Sequence, residues 1–457
     1  MKKNSLLIII SFSIFYFSCS PKISPVVNTV NEKSFYAHPA WSEQSNIYEV
    51  NLRQYTASSK IKDFETHLPR LKKMGVEVLW FMPITPIGFE NRKANGSELG
   101  SYYASRDYTS LNPEFGTMDD WKALVKHAHS MGFKVITDWV ANHSAPDNHW
   151  MKEHPDFYKR DKDGNTVYTA DWNDTRNLNY DNREMRDSMI AAMQFWIRES
   201  DIDGFRCDAA YGPPEDFWKE CIDSLKKMKD VFMLAEAEVP ALHNVGFDES
   251  YAWTVMEGFI KMYAGKLSLP QVDSIINDDI KRFPKSSYRL YFTSNHDWNS
   301  WEGTEFERYG DAWKALAVFS QTMYQSVPLM YTGQEITLKR RLKFFVKDPI
   351  VWDKYDMAPF YSTLLHLRKK KPALAANASY KKLVTANDEA IFAYIRENGK
   401  HKVAVILNLS NQPQSFTIKD ASINGNPMNV FIRTKEKLND THVFRIEPWG
   451  YLVYDYK

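Results

Sequence analysis

From Ser45 onward the chain alternates two textures, and this alternation restricts its fold more than any other feature. Short runs rich in β-branched and aromatic residues occur at Ile47–Leu52, Val76–Phe81, Phe133–Thr137, Gly204–Cys207, Val231–Ala235, Arg289–Thr293 and Val327–Tyr331. Between them lie segments with helical character, among them Phe64–Met74, Asp119–Met131, Arg183–Glu199, Pro214–Lys229 and Asp311–Gln325. In Asp119–Met131 the apolar residues Trp121, Leu124, Val125 and Ala128 recur at helical spacing. Met74-Gly75 and Met131-Gly132 supply a glycine stop before the next strand. Strand alternating with helix predicts a parallel sheet. An eighth strand is placed at Tyr251–Met256, and eight close a (β/α)8 TIM barrel.

Two regions interrupt the pattern. Residues 144–181 follow the third strand, are rich in Asp, Asn, Pro and Trp, and show no clear periodicity. A loop of that length inside a compact domain is usually functional, so it is assigned as a subdomain inserted at the barrel mouth. From about Ala373 the texture turns to strand-like runs at Ala390–Arg396, Lys402–Leu409, Gln414–Ile418 and Val443–Ile446, with turn signals at Asn398-Gly399 and Asn424-Gly425. The expected organisation is a barrel over residues 41–143 and 182–372, the insert within it, and an all-β domain, a β-sandwich, over residues 373–457. With 457 residues, 44% of them hydrophobic, the chain can bury a large core.

The N-terminus reads differently. Lys2 and Lys3 precede an apolar run from Leu6 to Phe17, which is short for a membrane span and laid out as an export signal. Ser18-Cys19 falls just past that run and resembles the site of the lipidated cysteine in bacterial lipoproteins, although Tyr16 and Phe17 stand where smaller residues are usual. Residues 1–19 are expected to form an export signal ending at a lipidated Cys19, and residues 20–40 a tether. The chain would then be exported and held by its lipid at a membrane, on the periplasmic side or the cell surface. A plain secretory peptide releasing a soluble protein and an uncleaved anchor are the alternatives. Cys207 is expected to pack behind the sheet and Cys221 to lie on a helix, with no structural disulfide. A formal net charge of +1 offers no electrostatic footprint for nucleic acid.

In a barrel of this type chemistry collects at the C-terminal ends of the strands. After the third strand comes Asp138-Trp139-Val140-Ala141-Asn142-His143, after the fourth Arg206 and Asp208, after the fifth Glu236, and after the seventh Ser294-Asn295-His296-Asp297. Alternate side chains of a strand share a face, so Arg206 lies beside Asp208, where a cation lowers the carboxyl's pKa. Alone, this is an ordinary ion pair at a strand end. Three carboxylates converging on one mouth repel each other, however, so at least one must be held protonated. Two carboxylates with separated pKa values are what glycoside hydrolysis requires.

These segments, in this order, resemble the four signature regions of the α-amylase family of glycoside hydrolases. The resemblance extends to Leu99–Tyr108, to Asn177–Tyr180 and to Pro328–Glu335, and it covers the chain from about Ile47 onward. It implies a retaining enzyme acting on α-glucans such as starch or maltooligosaccharides. It assigns Asp208 as nucleophile, Glu236 as general acid and then base, and Asp297 as stabiliser of an oxocarbenium-like transition state. Arg206 would orient Asp208, His143 and His296 would bind sugar hydroxyls, Tyr103 would stack on the sugar, and Asp138 would support the site. Glu238 would share the face of Glu236 in a continuing strand and is a rival for the acid role; Ala235 before Glu236 matches the family's small residue and favours the latter. α-Glucosidase, cyclomaltodextrinase and transglycosylase activities of the same family are alternatives, as is a non-catalytic, membrane-tethered glycan-binding protein. Other glycan-uptake proteins are candidate partners.

The pattern departs just after Asp208. Many relatives carry Lys-His three and four residues on, where this chain has Tyr211 and Gly212. That removes a lysine on the leaving-group side and a histidine whose backbone carbonyl joins the family's calcium site. Asn142 keeps the calcium-linked position, and Asp171, Asp174 and Asp181 are oxygen donors of a suitable type. Calcium therefore stays open as a cofactor, with no ligand assigned.

Overall fold

The computed structural model describes residues 36–92 and 98–456. Eight parallel strands form its centre: β1 Ile47–Val50, β2 Val78–Phe81, β3 Lys134–Val140, β4 Gly204–Asp208, β5 Phe232–Ala235, β6 Glu249–Tyr251, β7 Tyr288–Leu290 and β8 Leu329–Tyr331. They are ordered β8-β1-β2-β3-β4-β5-β6-β7, so consecutive strands are neighbours and β8 returns to β1. At the remaining seam the Leu329 N–H donates to the Tyr291 carbonyl at 3.2 Å, which nearly closes the barrel. Helices cover the outside, including Met118–Ser130, Arg183–Ser200, Glu215–Lys226, Trp313–Thr322 and Ala358–Lys370.

The period of two sorts each strand between two environments. On β2, Leu79 and Phe81 pack outward with the helices, whereas Val78 and Trp80 face the interior. On β4, Phe205 and Cys207 go outward and are buried, so Arg206 and Asp208 share the inner face. Cys207 and Cys221 are both buried free thiols, as their apolar surroundings suggested.

The sixth strand lies earlier than the sequence placed it. Glu249–Tyr251 is the strand, while Trp253–Tyr263 is a helix that buries Val255, Met256 and Phe259. A short apolar run does not distinguish strand from buried helix. The strand itself was disguised by its polarity, since Glu249 is buried and accepts the Val327 N–H at 2.9 Å.

Beyond β3 the chain leaves the barrel. His143–Ser144 pairs antiparallel with Arg176–Asn177, and the short helix His149–Glu153 lies between them. The C-terminal part contains a five-stranded antiparallel sheet built from Ser379–Leu383, Ile391–Asn398, His401–Asn408, Tyr451–Tyr456 and Met428–Asn429. A two-stranded ladder, Gln414–Phe416 with Phe444–Ile446, accompanies it. Asn398-Gly399 is a hairpin turn, with Gly399 at φ +58°. Asn424-Gly425 is not: Gly425 instead bridges Leu438. Along Ile391–Asn398, Ile391, Ala393 and Ile395 enter the core of this domain while Phe392 and Tyr394 enter the barrel's. The strand is therefore apolar on both faces, and the domain rests against the barrel. Among the described residues no helix is long and apolar enough to cross a membrane. Cys19, the export signal and most of the tether lie outside the described residues.

Candidate active site

The barrel interior is apolar along most of its length and turns ionic at the C-terminal strand ends. Arg206, fully buried, is the hub. Its Nη1 donates to Asp138 Oδ1 at 2.9 Å and to Asp208 Oδ1 at 3.1 Å, and its Nη2 pairs with Glu236 Oε1 at 2.9 Å. One guanidinium thus holds carboxyls from β3, from β4 and from the residue after β5. The register explains the proximity: Asp138 is paired with Arg206, and Cys207 with Ala235, so Asp208 and Glu236 emerge side by side. The Ala209 N–H donates to Glu236 Oε2 at 2.8 Å, fixing the second carboxyl oxygen.

A second cation lies beside this hub. His296, buried, has Nδ1 on the Glu49 carboxylate of β1. Its Nε2 is 2.7 Å from the Tyr103 hydroxyl and 3.1 Å from Asp297 Oδ2. The Tyr103 hydroxyl also donates to Asp138 Oδ2 at 3.2 Å, which joins the two groups into one network. The Tyr103 ring stacks on His296, with centroids 5.5 Å apart and planes 24° apart.

Five carboxyls therefore face two cations, and they titrate accordingly. Burial raises Glu236 to about 8; Arg206 opposes the rise, and the charges of Asp208 and Asp297 add to it. Burial likewise raises Asp208 to about 6 against the pull of Arg206. The arginine limits the rise and does not bring Asp208 below its ordinary range, contrary to the direction expected from the pair alone. Asp138 also reaches about 6, again through burial opposed by Arg206. Burial works against the His296 imidazolium, but Asp297 and Glu49 outweigh it and keep the ring protonated. In turn His296 overcomes burial to hold Asp297 below its usual value. At neutral pH Glu236 is protonated while Asp208 and Asp297 are ionised. His143, lowered to about 4 by burial, is neutral. The Asn142 amide nitrogen is 3.1 Å from its Nδ1, which leaves the ring proton on Nε2.

Above this floor opens a cleft of about 570 Å³. Asp208, Glu236, Asp297, Tyr103 and His143 line it. Arg206, Asp138 and His296 lie beneath, buried, and act on the lining groups. Glu238 does not line the cleft; its carboxylate accepts from Arg289 Nη2 at 3.1 Å and from the Thr254 hydroxyl. The walls are aromatic, with Trp172 from the insert, Trp253, Trp301, Phe344 and Tyr211. Apart from Tyr211, noted as a departure from the family pattern, these residues and Glu49 were not singled out from the sequence. The available signals were an aromatic content of 14% and a lone acid in an apolar strand.

The oxygen donors considered for calcium are not gathered at one point. Asp171 and Asp174 line the cleft, whereas Asp181 borders a separate groove with Pro155 and Arg160. The Asn142 amide serves His143, and its Oδ1 abuts the Gly212 α-carbon so closely that a Cβ there would lie 2.0 Å away.

The comparisons agree with this geometry. The model of the α-amylase catalytic domain matches residues 58–168 and 163–374. Alpha-amylase MalA of Haloarcula japonica is 26% identical over 398 residues, covering 83% of this chain; the chain spans 57% of that protein's length. Among solved structures, a noncanonic maltogenic alpha-amylase, AmyB from Thermotoga neapolitana, superposes with a TM-score of 0.82 at 28% identity over 91% of this chain and 99% of its own. An alpha-amylase from Lactobacillus plantarum gives 0.81 at 26% identity over 91% of this chain and its full length, 100%. With the acids on the strand ends, the cleft above them and a family match spanning the barrel, the chain belongs to the α-amylase family of glycoside hydrolases.

Proposed function

We propose that the chain is a retaining α-glycosidase that hydrolyses α-1,4-glucosidic bonds of starch-type glucans or maltooligosaccharides. The observation that carries the reading is the Arg206 fork, which grips Asp208 and Glu236 from its two nitrogens. Carboxyls held on one guanidinium form a close pair, as retaining enzymes need at about 5–5.5 Å, whereas inverting ones need about 6.5–9.5 Å to admit water between them.

Asp208, ionised, attacks the anomeric carbon and forms a glycosyl ester as Glu236 donates its proton to the departing oxygen. Glu236 then takes a proton from the incoming water, which displaces Asp208 with its electron pair. Asp297, kept anionic by His296, faces the positive charge that develops on the ring. Tyr103 and the tryptophans offer faces for sugar rings, and the neutral His143 lines the cleft with them. Replacement Asp208→Asn is expected to lower hydrolysis of an activated α-glucoside about a thousandfold or more without unfolding the protein. Survival of activity in that variant would overturn the nucleophile assignment.

The chain is further proposed to be exported and held at a membrane by lipid on Cys19. Lys2, Lys3, the apolar run to Phe17 and the position of Cys19 support this. His38 binds Asp248 Oδ1 at 2.7 Å and the Ser286 carbonyl, just ahead of β6 and β7, at the end of the barrel opposite the cleft. In cell fractionation Cys19→Ser should move the protein from the membrane to the soluble fraction; a wild type already soluble and unlipidated contradicts the anchor.

A further inference from the structure

Glu49 does not line the cleft and takes no part in the steps above. It lies on the inner face of β1 with Ile47, paired in register with Trp80 of β2 and Tyr331 of β8. The Thr332 N–H donates to its backbone carbonyl at 3.1 Å, which pins the residue where β1 meets the end of β8. Its side chain is fully buried. Oε1 meets His296 Nδ1, and among the described residues Oε2 has no hydrogen-bond partner. A buried carboxyl with one contact is costly to the fold. That one contact leads to the site.

His296 is held between two carboxyls. Its Nδ1 faces Glu49, and its Nε2 faces Asp297 Oδ2 at 3.1 Å and the Tyr103 hydroxyl at 2.7 Å. That hydroxyl donates to Asp138, so it receives from the ring. A neutral imidazole carries one N–H and one lone pair, and only the doubly protonated ring donates from both nitrogens. The Trp80 ring packs edge-on against His296, with centroids 6.1 Å apart and planes at 85°. Around the pair stand Asp138 from β3, Arg206 from β4, and the neutral phenols of Tyr251 from β6 and Tyr331 from β8. Arg206 opposes a second cation, but its charge is met by Asp138, Asp208 and Glu236.

We propose that Glu49 is a positioning residue for the reaction: its charge keeps both His296 nitrogens protonated, and through that ring it presents an anionic Asp297 to the oxocarbenium-like transition state. This rests on the glycosidase reading above and deepens it, because Glu49 touches neither the sugar nor the reacting atoms. Without the Glu49 charge, Asp297 alone balances the imidazolium, in a buried place that disfavours any cation. The ring then gives up a proton at lower pH. Its bare Nε2 faces Asp297, which loses its donor and, with it, the support for the charge that the transition state calls on.

The test is kcat/KM for α-maltosyl fluoride against pH, in the wild type and in Glu49→Gln. The glutamine keeps the shape and an acceptor for the Nδ1–H but removes the charge. Fluoride departs without a proton from Glu236, so the wild type is expected to hold its activity to about pH 9. Glu49→Gln should show a new alkaline fall with a midpoint below about pH 8, leaving it about tenfold or more slower at about pH 9. A profile parallel to that of the wild type, whatever its height, overturns the proposal. A double-mutant cycle separates this role from packing: in a His296→Asn background, Glu49→Gln should change kcat by less than about twofold. An equal loss in both backgrounds overturns it. Where Glu49→Gln does not fold, nitrogen NMR of the histidine-labelled wild type decides. Both His296 ring nitrogens are expected to be protonated at about pH 8, above the ordinary histidine value of about 6.5. A neutral ring there, as a protonated Glu49 would leave it, overturns the proposal. Failure of the underlying reading looks different: the wild type would then release no fluoride.

Discussion

At Arg206 one guanidinium faces three carboxyls, and the excess of acid over base governs how the site titrates. Asp208 must be ionised to attack, so activity grows as pH rises through its value of about 6. Glu236 must carry a proton, so activity is lost as pH rises through its value of about 8. For a maltooligosaccharide kcat/KM is thus expected to be bell-shaped with a maximum near 7. With α-maltosyl fluoride, whose leaving group needs no proton, the alkaline limb should flatten. Identical alkaline limbs on the two substrates would remove Glu236 from the acid role. The adjacency of Arg206 and Asp208 was legible from the period of two along a strand. The direction of Asp208's shift was not, because burial sums over neighbours from β3, β5 and the loops, none of which is near it in sequence. Glu49 shows the same limit: in sequence it is an acid in an apolar run, and only the closed barrel sets it against His296 from β7's following loop.

At the scale of the element, β4 is held to β5 by a contact that tolerates no side chain. A Cβ on Gly204 would lie 2.0 Å from the Phe232 carbonyl oxygen. Gly204→Ala must separate the two strands that carry Asp208 and Glu236. We expect a destabilisation of about 1–3 kcal/mol in chemical denaturation, together with a larger loss of activity than of stability, because the carboxyl pair is set by that register. A variant of unchanged stability and activity would show that the strands can part without cost. Strands that are apolar on both faces were found within a few residues, since a buried parallel strand is a continuous hydrophobic run. Two kinds escaped. β6 buries the polar residues Glu249 and Ser250, and Ser379–Leu383 and Tyr451–Tyr456 mix polar with apolar residues in the C-terminal sheet.

Across the whole molecule the C-terminal domain is fastened to the barrel by a buried cation. Arg396 donates to the carbonyls of Thr322, Met323 and Ala375 at 2.8, 2.7 and 2.7 Å, and the Thr322 and Tyr394 hydroxyls meet beside it. Arg396→Ala would leave the Thr322 and Met323 carbonyls without this donor, each at about 1–3 kcal/mol, so the Tm should fall by several degrees in calorimetry. An unchanged Tm would mean that the apolar faces of Phe392, Val405 and Phe319 hold the domain unaided. The sequence by itself determined the alternation that makes a parallel barrel, the acids at its strand ends and the thiols that pack behind it. These follow from local periodicity and from the few residue types that such chemistry accepts. Only the tertiary structure decided which acid holds a proton, that Glu238 belongs to Arg289 and not to the cleft, and that aromatic residues from distant loops form one wall. Those outcomes depend on burial and through-space charge, which arise when segments far apart in the chain converge. The stretch after Asp208 joins both kinds of knowledge: Tyr211 and Gly212 were visible as a departure, and the fold shows a pinned turn that carries an open aromatic ring into the cleft.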